Sequence, residues 1–135
     1  MVMELKGKKK KLGLKRFFNS FHYSIEGLKY AYLNEQSMLI HLVVTILVII
    51  FGIVFHITTT QWLLCVTMFG FVMGAELLNT AIEAVVDMAM PDIHPLAKIA
   101  KDTASAAVFV LSLMAFIVGA VIFFPHFYDV LKQLF

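Results

Sequence analysis

A chain of 135 residues that is 61% hydrophobic and 15% charged, with a mean hydropathy of +0.88, lacks the polar residues that a soluble fold of this size needs to cover its surface. The formal charge of +2 leaves no basic surface for nucleic acid, the composition is too apolar for disorder, and a single cysteine, Cys65, excludes a disulfide scaffold. An integral membrane protein remains.

Residues 1–11 are a basic tail. Lys8–Lys11 reads as a topology signal that also attracts anionic lipid, not as part of a signal peptide, because no short apolar core with a cleavage site follows it. Residues 12–34 have helical period. At ~100° per residue, Leu14, Phe17, Phe18, Phe21, Ile25, Leu28 and Tyr32 share one sector, and Arg16, Asn19, Tyr23, Glu26 and Tyr30 face the other way. That pattern predicts an amphipathic helix lying in the membrane interface, either as an anchor or as one wall of a site at headgroup level.

Residues 35–124 form the membrane core. No Asp, Glu, Lys or Arg occurs from Gln36 to Ala75 or from Thr103 to Tyr128, and each interval exceeds the ~20 residues that cross a bilayer. The polar break at His56 and Thr58–Gln61 divides the first interval, so the predicted spans are about 38–55, 62–86 and 104–124. Trp62 and the aromatic cluster at 123–128 stand where interfacial aromatics are expected. Ten of the eleven basic residues lie before Lys29, at Lys29 itself, or at Lys98 and Lys101. The positive-inside rule then puts the N-terminus and the 88–101 loop in the cytoplasm and the 125–135 tail outside.

The second span carries carboxylates that a membrane helix should not have. Glu76, Asn79, Thr80, Glu83 and Asp87 share one stripe of the wheel, within about 100° of one another. Each acid deep in a bilayer costs roughly 2.5–3.5 kcal/mol, which a partner, a proton or a metal ion has to offset. Glu76 and Glu83 lie two turns apart, about 10 Å along the axis, and so suit different roles. Burial makes Glu76 a candidate general base or proton carrier. Glu83, nearer the headgroups, is a candidate cation ligand, with Glu35 and Asp87 as the nearest additional carboxylates. The bland alternative, a polar helix–helix seam, ordinarily uses Ser, Thr, Asn or Gln.

After Pro91-Asp92-Ile93-His94-Pro95, a turn, Lys101-Asp102 opens the third span with Ser105 one helical turn on. Lys101 either snorkels or binds phosphate. Gly70 and Gly74 form a GxxxG suited to close helix packing away from the acids, and His41 and His56 read as interfacial. No GxxxxGK loop or kinase-type catalytic loop is present, so any nucleotide chemistry uses another architecture. Three helices are too few to enclose a polar groove, which predicts an oligomer with the acid stripe at or near a subunit interface.

The run Glu76-Leu77-Leu78-Asn79-Thr80-Ala81-Ile82-Glu83-Ala84-Val85-Val86-Asp87, then Ala100-Lys101-Asp102 with Ser105, together with Tyr23-Ser24, Gly27-Leu28 and Asn34-Glu35 upstream, resembles the small prokaryotic diacylglycerol kinase / undecaprenol kinase family. The resemblance runs from about Arg16 to Phe124. It implies an all-α membrane protein, a homotrimer of three-span subunits each preceded by a surface helix, with composite sites between subunits in the bacterial inner membrane. It also implies ATP-dependent, Mg²⁺-dependent phosphorylation of a lipid hydroxyl. By position, Glu76 matches the general base, and Glu35 and Glu83 match metal-holding carboxylates. Arg16, Tyr23, Glu35, Glu83, Asp92, Ile93, His94, Lys101 and Asp102 match nucleotide-contacting positions. Asn79 and Asp87 match supporting polar positions, and Ser105 one near the lipid. Diacylglycerol kinases of the family carry an acid-ending polar run where this chain has Leu39-Ile40-His41, and the His94–Asp102 stretch looks more like the undecaprenol kinase branch. Undecaprenol is therefore the expected substrate and diacylglycerol the alternative. The competing class is a small oligomeric transporter coupled to protons through Glu76.

Overall fold

The computed structural model describes residues 13–90, 92 and 94–134, and of Lys15 and Arg16 only the backbone. The basic tail of residues 1–11 and Ile93 therefore lie outside the described residues. The described chain folds as four helices: α1 (Leu14–Asn34), α2 (Gln36–Val54), α3 (Thr59–Ala89) and α4 (Pro95–Leu134). No strand occurs among the described residues. The last three helices are long and apolar enough to cross a membrane.

The amphipathic helix expected at the N-terminus is α1. Leu14, Phe17, Phe18, Phe21 and Ile25 of its apolar stripe are all more than half exposed and have no core to enter. Phe17 packs edge-to-face only on its own neighbours Phe18 and Phe21. A stripe that the described residues leave uncovered suits the lipid interface. At its other end α1 is tied down. Ala31, 1% exposed, packs with Met38 of α2 and Met73 of α3, and Tyr32 and Leu77 flank them. Glu35 alone separates α1 from α2. Its extended backbone (φ −107°, ψ 117°) breaks the helix, while its N–H still donates to the Ala31 carbonyl at 2.9 Å.

The turn between α2 and α3 falls at the polar break. His56 adopts a left-handed conformation (φ 49°), at a cost of roughly 1–2 kcal/mol for a residue with a Cβ. Thr58 then starts α3 with a capping box: its Oγ1 accepts from the Gln61 N–H at 3.3 Å, and its own N–H donates to Gln61 Oε1 at 2.8 Å. Gly52 is needed here, because the Trp62 ring packs directly on its Cα.

α3 and α4 pack against each other more extensively than any other pair of helices. His94 closes the start of α4. Its carbonyl accepts from the Lys98 N–H at 3.1 Å and its ring Nδ1 from the Leu96 N–H at 3.2 Å, and Pro95 occupies the first helical position, where no N–H is required. The helix therefore begins at Pro95, ahead of the apolar span expected from 104, and runs through Pro125 to Leu134. The aromatics near its end do not all face the interface. Phe123 is buried, Phe127 packs on Phe51 of α2 and on Phe55 just past its end, and the His126 ring stacks on Phe55 at 5.2 Å. Phe124 and Tyr128 point outward as expected.

The glycine pair makes no close contact within the described chain. An added Cβ at Gly70 or Gly74 would meet nothing within 4 Å, so no described helix packs closely on the GxxxG. Both residues instead line an open groove of about 430 Å³ between α3 and α4, with Ala104, Ala107 and Asn79.

A methyl group at Gly52 would lie 2.7 Å from Trp62 Cη2 and Cζ2 and 3.1 Å from Ile57 Cδ1. Gly52→Ala is expected to destabilise the protein by about 1–3 kcal/mol through overpacking. Thermal unfolding in detergent checks this, and an unchanged midpoint would mean that the Trp62 ring can move aside.

Candidate active site

α3 is 31 residues long, about 46 Å, against ~30 Å of hydrocarbon. Counting from Trp62 at one interface, Glu76 lies about 21 Å in, still within the apolar layer, whereas Glu83 at about 32 Å and Asp87 at about 38 Å reach the opposite interface. The acidic face of α3 thus runs from membrane depth toward water.

Glu76 is 3% exposed and Thr80, one turn on, is 8% exposed. Other helices of the same chain already enclose the deepest acid, so its shielding does not require a second subunit. The partner of Glu76 is His41 on α2, with Nε2 3.0 Å from Oε1. This differs from the reading of His41 as an interfacial residue. The only titratable side chains between Gln36 and Ala75, apart from Cys65, are His41 and His56. Of these, His56 belongs to the turn at the other end of α2. The requirement that a buried acid be partnered, applied across helices, is the signal that would have pointed to His41.

Further along the same face, Asn79 Nδ2 donates to Glu83 Oε1 at 3.1 Å. Asn79 Oδ1 and Thr80 Oγ1 are buried without a hydrogen-bond partner among the described residues, as is Ser112 Oγ on α4. Asp87 meets a different partner. It accepts from Lys101 Nζ at 2.8 Å and 3.1 Å, joining the end of α3 to the start of α4. Asp102 is paired with Lys98 one turn earlier on α4. The Lys101–Asp102 dipeptide thus meets two different partners.

The remaining predicted residues are more dispersed. The carboxylate of Glu35 is not used to cap α2 among the described residues and stands half-buried at the α1–α2 junction. Tyr23 stands exposed on α1 with its ring beside His22. Asp92 is an exposed bend, His94 is half-buried at the start of α4, and Ser105 is exposed on α4. The Arg16 side chain and Ile93 are outside the described residues. No group of three His, Cys, Asp or Glu side chains converges on a metal position among the described residues. The donors that are present still suit Mg²⁺, which takes one or two carboxylates and completes its shell with water and phosphate oxygens. Glu83 is held by Asn79, whose own Oδ1 is an unpartnered hard donor, and Glu35 is a further carboxylate.

A three-span bundle with a carboxylate enclosed among its helices, continuous with polar groups toward one end, defines a small membrane protein with an acidic site inside its bundle. A family model described as prokaryotic diacylglycerol kinase matches residues 22–123. Undecaprenol kinase of Bacillus subtilis (strain 168) is 37% identical over 112 residues, covering 83% of this chain and 91% of that protein. Diacylglycerol kinases of Haemophilus influenzae (strain ATCC 51907 / DSM 11121 / KW20 / Rd) and Escherichia coli (strain K12) are 34% and 32% identical over 116 and 115 residues. Each alignment covers 85% of this chain, with 98% of the former protein and 94% of the latter. The chain belongs to the prokaryotic diacylglycerol kinase family and is a lipid kinase. This membership separates the kinase from the proton-coupled transporter, which the acid stripe alone did not.

The Lys101–Asp87 pair is solvated, with the Asp87 side chain 65% exposed. Asp87→Asn is therefore expected to leave stability close to that of the parent. A clear loss, measured by denaturation in detergent, would show that the α3–α4 turn depends on this pair.

Proposed function

We propose that the protein transfers the γ-phosphate of ATP to the hydroxyl of undecaprenol, giving undecaprenyl phosphate and ADP, in the bacterial cell membrane and as a homotrimer. The observation that carries this reading is Glu76. It is a carboxylate 3% exposed at membrane depth, on the same face of α3 as Asn79 and Glu83 nearer the interface. A lipid alcohol reaches Glu76 from the membrane side, and a nucleotide reaches Glu83, Glu35 and Lys101 from water. The basic residues support placing that watery side, with the N-terminus, in the cytoplasm and the C-terminus outside. The polar groups on α3 that the chain leaves partly or wholly open, Glu83 and Asp87, support a site completed by a neighbouring subunit.

In the reaction the alcohol oxygen forms a bond to Pγ, its proton passes to the Glu76 carboxylate, and the bond from Pγ to the bridging oxygen of ADP breaks. Catalysis of this kind rests on in-line positioning and on neutralising charge. Glu76 accepts the proton and orients the hydroxyl. Lys101 supplies positive charge at the phosphate level, held there by Asp87 until a nucleotide competes for it. Glu35 and Glu83 would hold Mg²⁺, which when bound neutralises charge on the phosphates; Asn79 keeps the Glu83 carboxylate oriented.

Undecaprenol as acceptor is supported by the 37% identity to a relative named for it and by the Leu39-Ile40-His41 run. Diacylglycerol, giving phosphatidic acid, is the second reading, supported by the names of the Haemophilus influenzae and Escherichia coli relatives.

A mixed-micelle assay with labelled ATP, offering undecaprenol and diacylglycerol side by side, tests the proposal. Faster labelling of undecaprenol is expected, and a preference for diacylglycerol would overturn the substrate. In the same assay Glu76→Gln should lower kcat by about 10²- to 10⁴-fold, the usual contribution of a positioned base. Retained turnover would remove Glu76 from that role. Glu83→Gln should raise the Mg²⁺ concentration for half-maximal rate by about tenfold or more, as loss of a metal-orienting group does. An unchanged Mg²⁺ titration would exclude Glu83 as a ligand.

A further inference from the structure

We propose that His41 is the positioning residue for Glu76. Its imidazole Nε2–H holds Oε1 of the carboxylate, so that Oε2 is presented to the lipid hydroxyl. The inference rests on the reading of Glu76 as the base and adds to it the group that makes the base competent.

Three observations carry it. First, Nε2 of His41 lies 3.0 Å from Glu76 Oε1, a hydrogen-bond distance between α2 and α3 across 35 residues of sequence. Second, the pair is asymmetric in exposure, with the Glu76 side chain 4% and the His41 side chain 22% exposed. The carboxylate is thus the enclosed member, and a buried acceptor left without a donor is costly. Third, the backbone around the pair is locked on both helices. Met38 precedes His41 by three residues and Met73 precedes Glu76 by three, so each methionine lies on its helix beside the polar residue. Those two methionines, 0% and 7% exposed, pack in one cluster with Ala31 of α1. The apolar cluster fixes the rotation of α2 against α3, and that rotation delivers the imidazole to the carboxylate.

The chemistry follows from the two oxygens. A free carboxylate at the end of a glutamate side chain rotates, and a general base must stand within hydrogen-bond reach of the proton it removes. With Oε1 engaged by a donor, rotation stops and one oxygen remains for the alcohol. An orienting partner of this kind is a recurring feature of catalytic bases, the base itself being held by a third group. His41 touches no reacting atom and transfers no phosphate, and its contribution is geometric.

The test compares His41→Ala with His41→Gln in the full-length protein in mixed micelles. Gln sets an amide N–H close to where Nε2 stands and so retains a donor, whereas Ala leaves Glu76 unpartnered. His41→Ala is expected to lower kcat by about 10- to 100-fold, the scale of a misplaced reacting group. The KM values for ATP and for the lipid should stay within about twofold, and His41→Gln should recover kcat to within about fivefold of the parent on the same reasoning. Thermal unfolding of both variants in detergent accompanies the kinetics. A His41→Ala protein with the parent kcat would overturn the proposal. So would a His41→Gln protein as slow as His41→Ala while equally stable. If both variants unfold, parallel loss of stability and of every kinetic constant, with no gain from Gln, assigns His41 to structure alone and overturns the proposal as well. Glu76→Gln run alongside separates the two readings: an active Glu76→Gln removes the base itself, whereas an inactive Glu76→Gln beside a fully active His41→Ala removes only the role of His41.

Discussion

A carboxylate enclosed at membrane depth needs a partner, and the arrangement of α1, α2 and α3 is organised around supplying one to Glu76. The acid alone costs about 2.5–3.5 kcal/mol on insertion scales. A hydrogen bond between membrane helices returns only about 0.6–2 kcal/mol. The His41 contact therefore limits a penalty more than it stabilises the fold, and an arrangement that costs more than it returns points to a function at that position. The helix pair is held in register by apolar packing instead. Ala31, Met38 and Met73 form a dry cluster one turn from the polar pair on both α2 and α3.

Packing in this bundle cannot draw on the hydrophobic effect as a soluble core does, because lipid tails are as apolar as the side chains they would replace. Close contacts carry the load. At the far end of α2, Phe51 and Phe55 interleave with Phe123, His126 and Phe127 of α4, while Trp62 lies against the bare Cα of Gly52. At the other end there is less apolar packing and more charge: Asp87 meets Lys101, Asp102 meets Lys98, and Glu35 stands in the one-residue break between α1 and α2. The polarity of the molecule is thus divided along its long axis. A lipid kinase needs this division, since one substrate arrives through the membrane and the other through water.

Much of the site was legible in the sequence. The scarcity of charge made Glu76, Glu83 and Asp87 conspicuous, and helical period alone put them on one face of α3. The pairing of those residues was not legible. Asp87 read as a nearby carboxylate for Glu83, and its pairing with Lys101 stayed hidden because the relative placement of α3 and α4 is absent from a wheel of either helix. His41 read as interfacial because it lies near the end of an apolar span, and its meeting with Glu76 depends on how α2 is turned. The GxxxG at Gly70 and Gly74 read as a packing motif, yet within the chain it lines an open groove. The aromatics at 123–128 read as an interfacial belt, and half of that expectation held: Phe124 and Tyr128 face outward while Phe123 is buried.

By itself the sequence determined the membrane class, the three spans, the amphipathic first helix and the acidic face of the second span. These are consequences of composition and of period within one helix, properties that a single segment carries whatever surrounds it. Only the tertiary structure decided which residues meet: His41 with Glu76, Asp87 with Lys101, Phe55 with His126, and none of the described residues closely against Gly70 and Gly74. Each of those outcomes depends on the rotation and axial offset of one helix against another. Both are set by the methionine–alanine cluster at one end and the aromatic cluster at the other, through contacts between residues far apart in the chain.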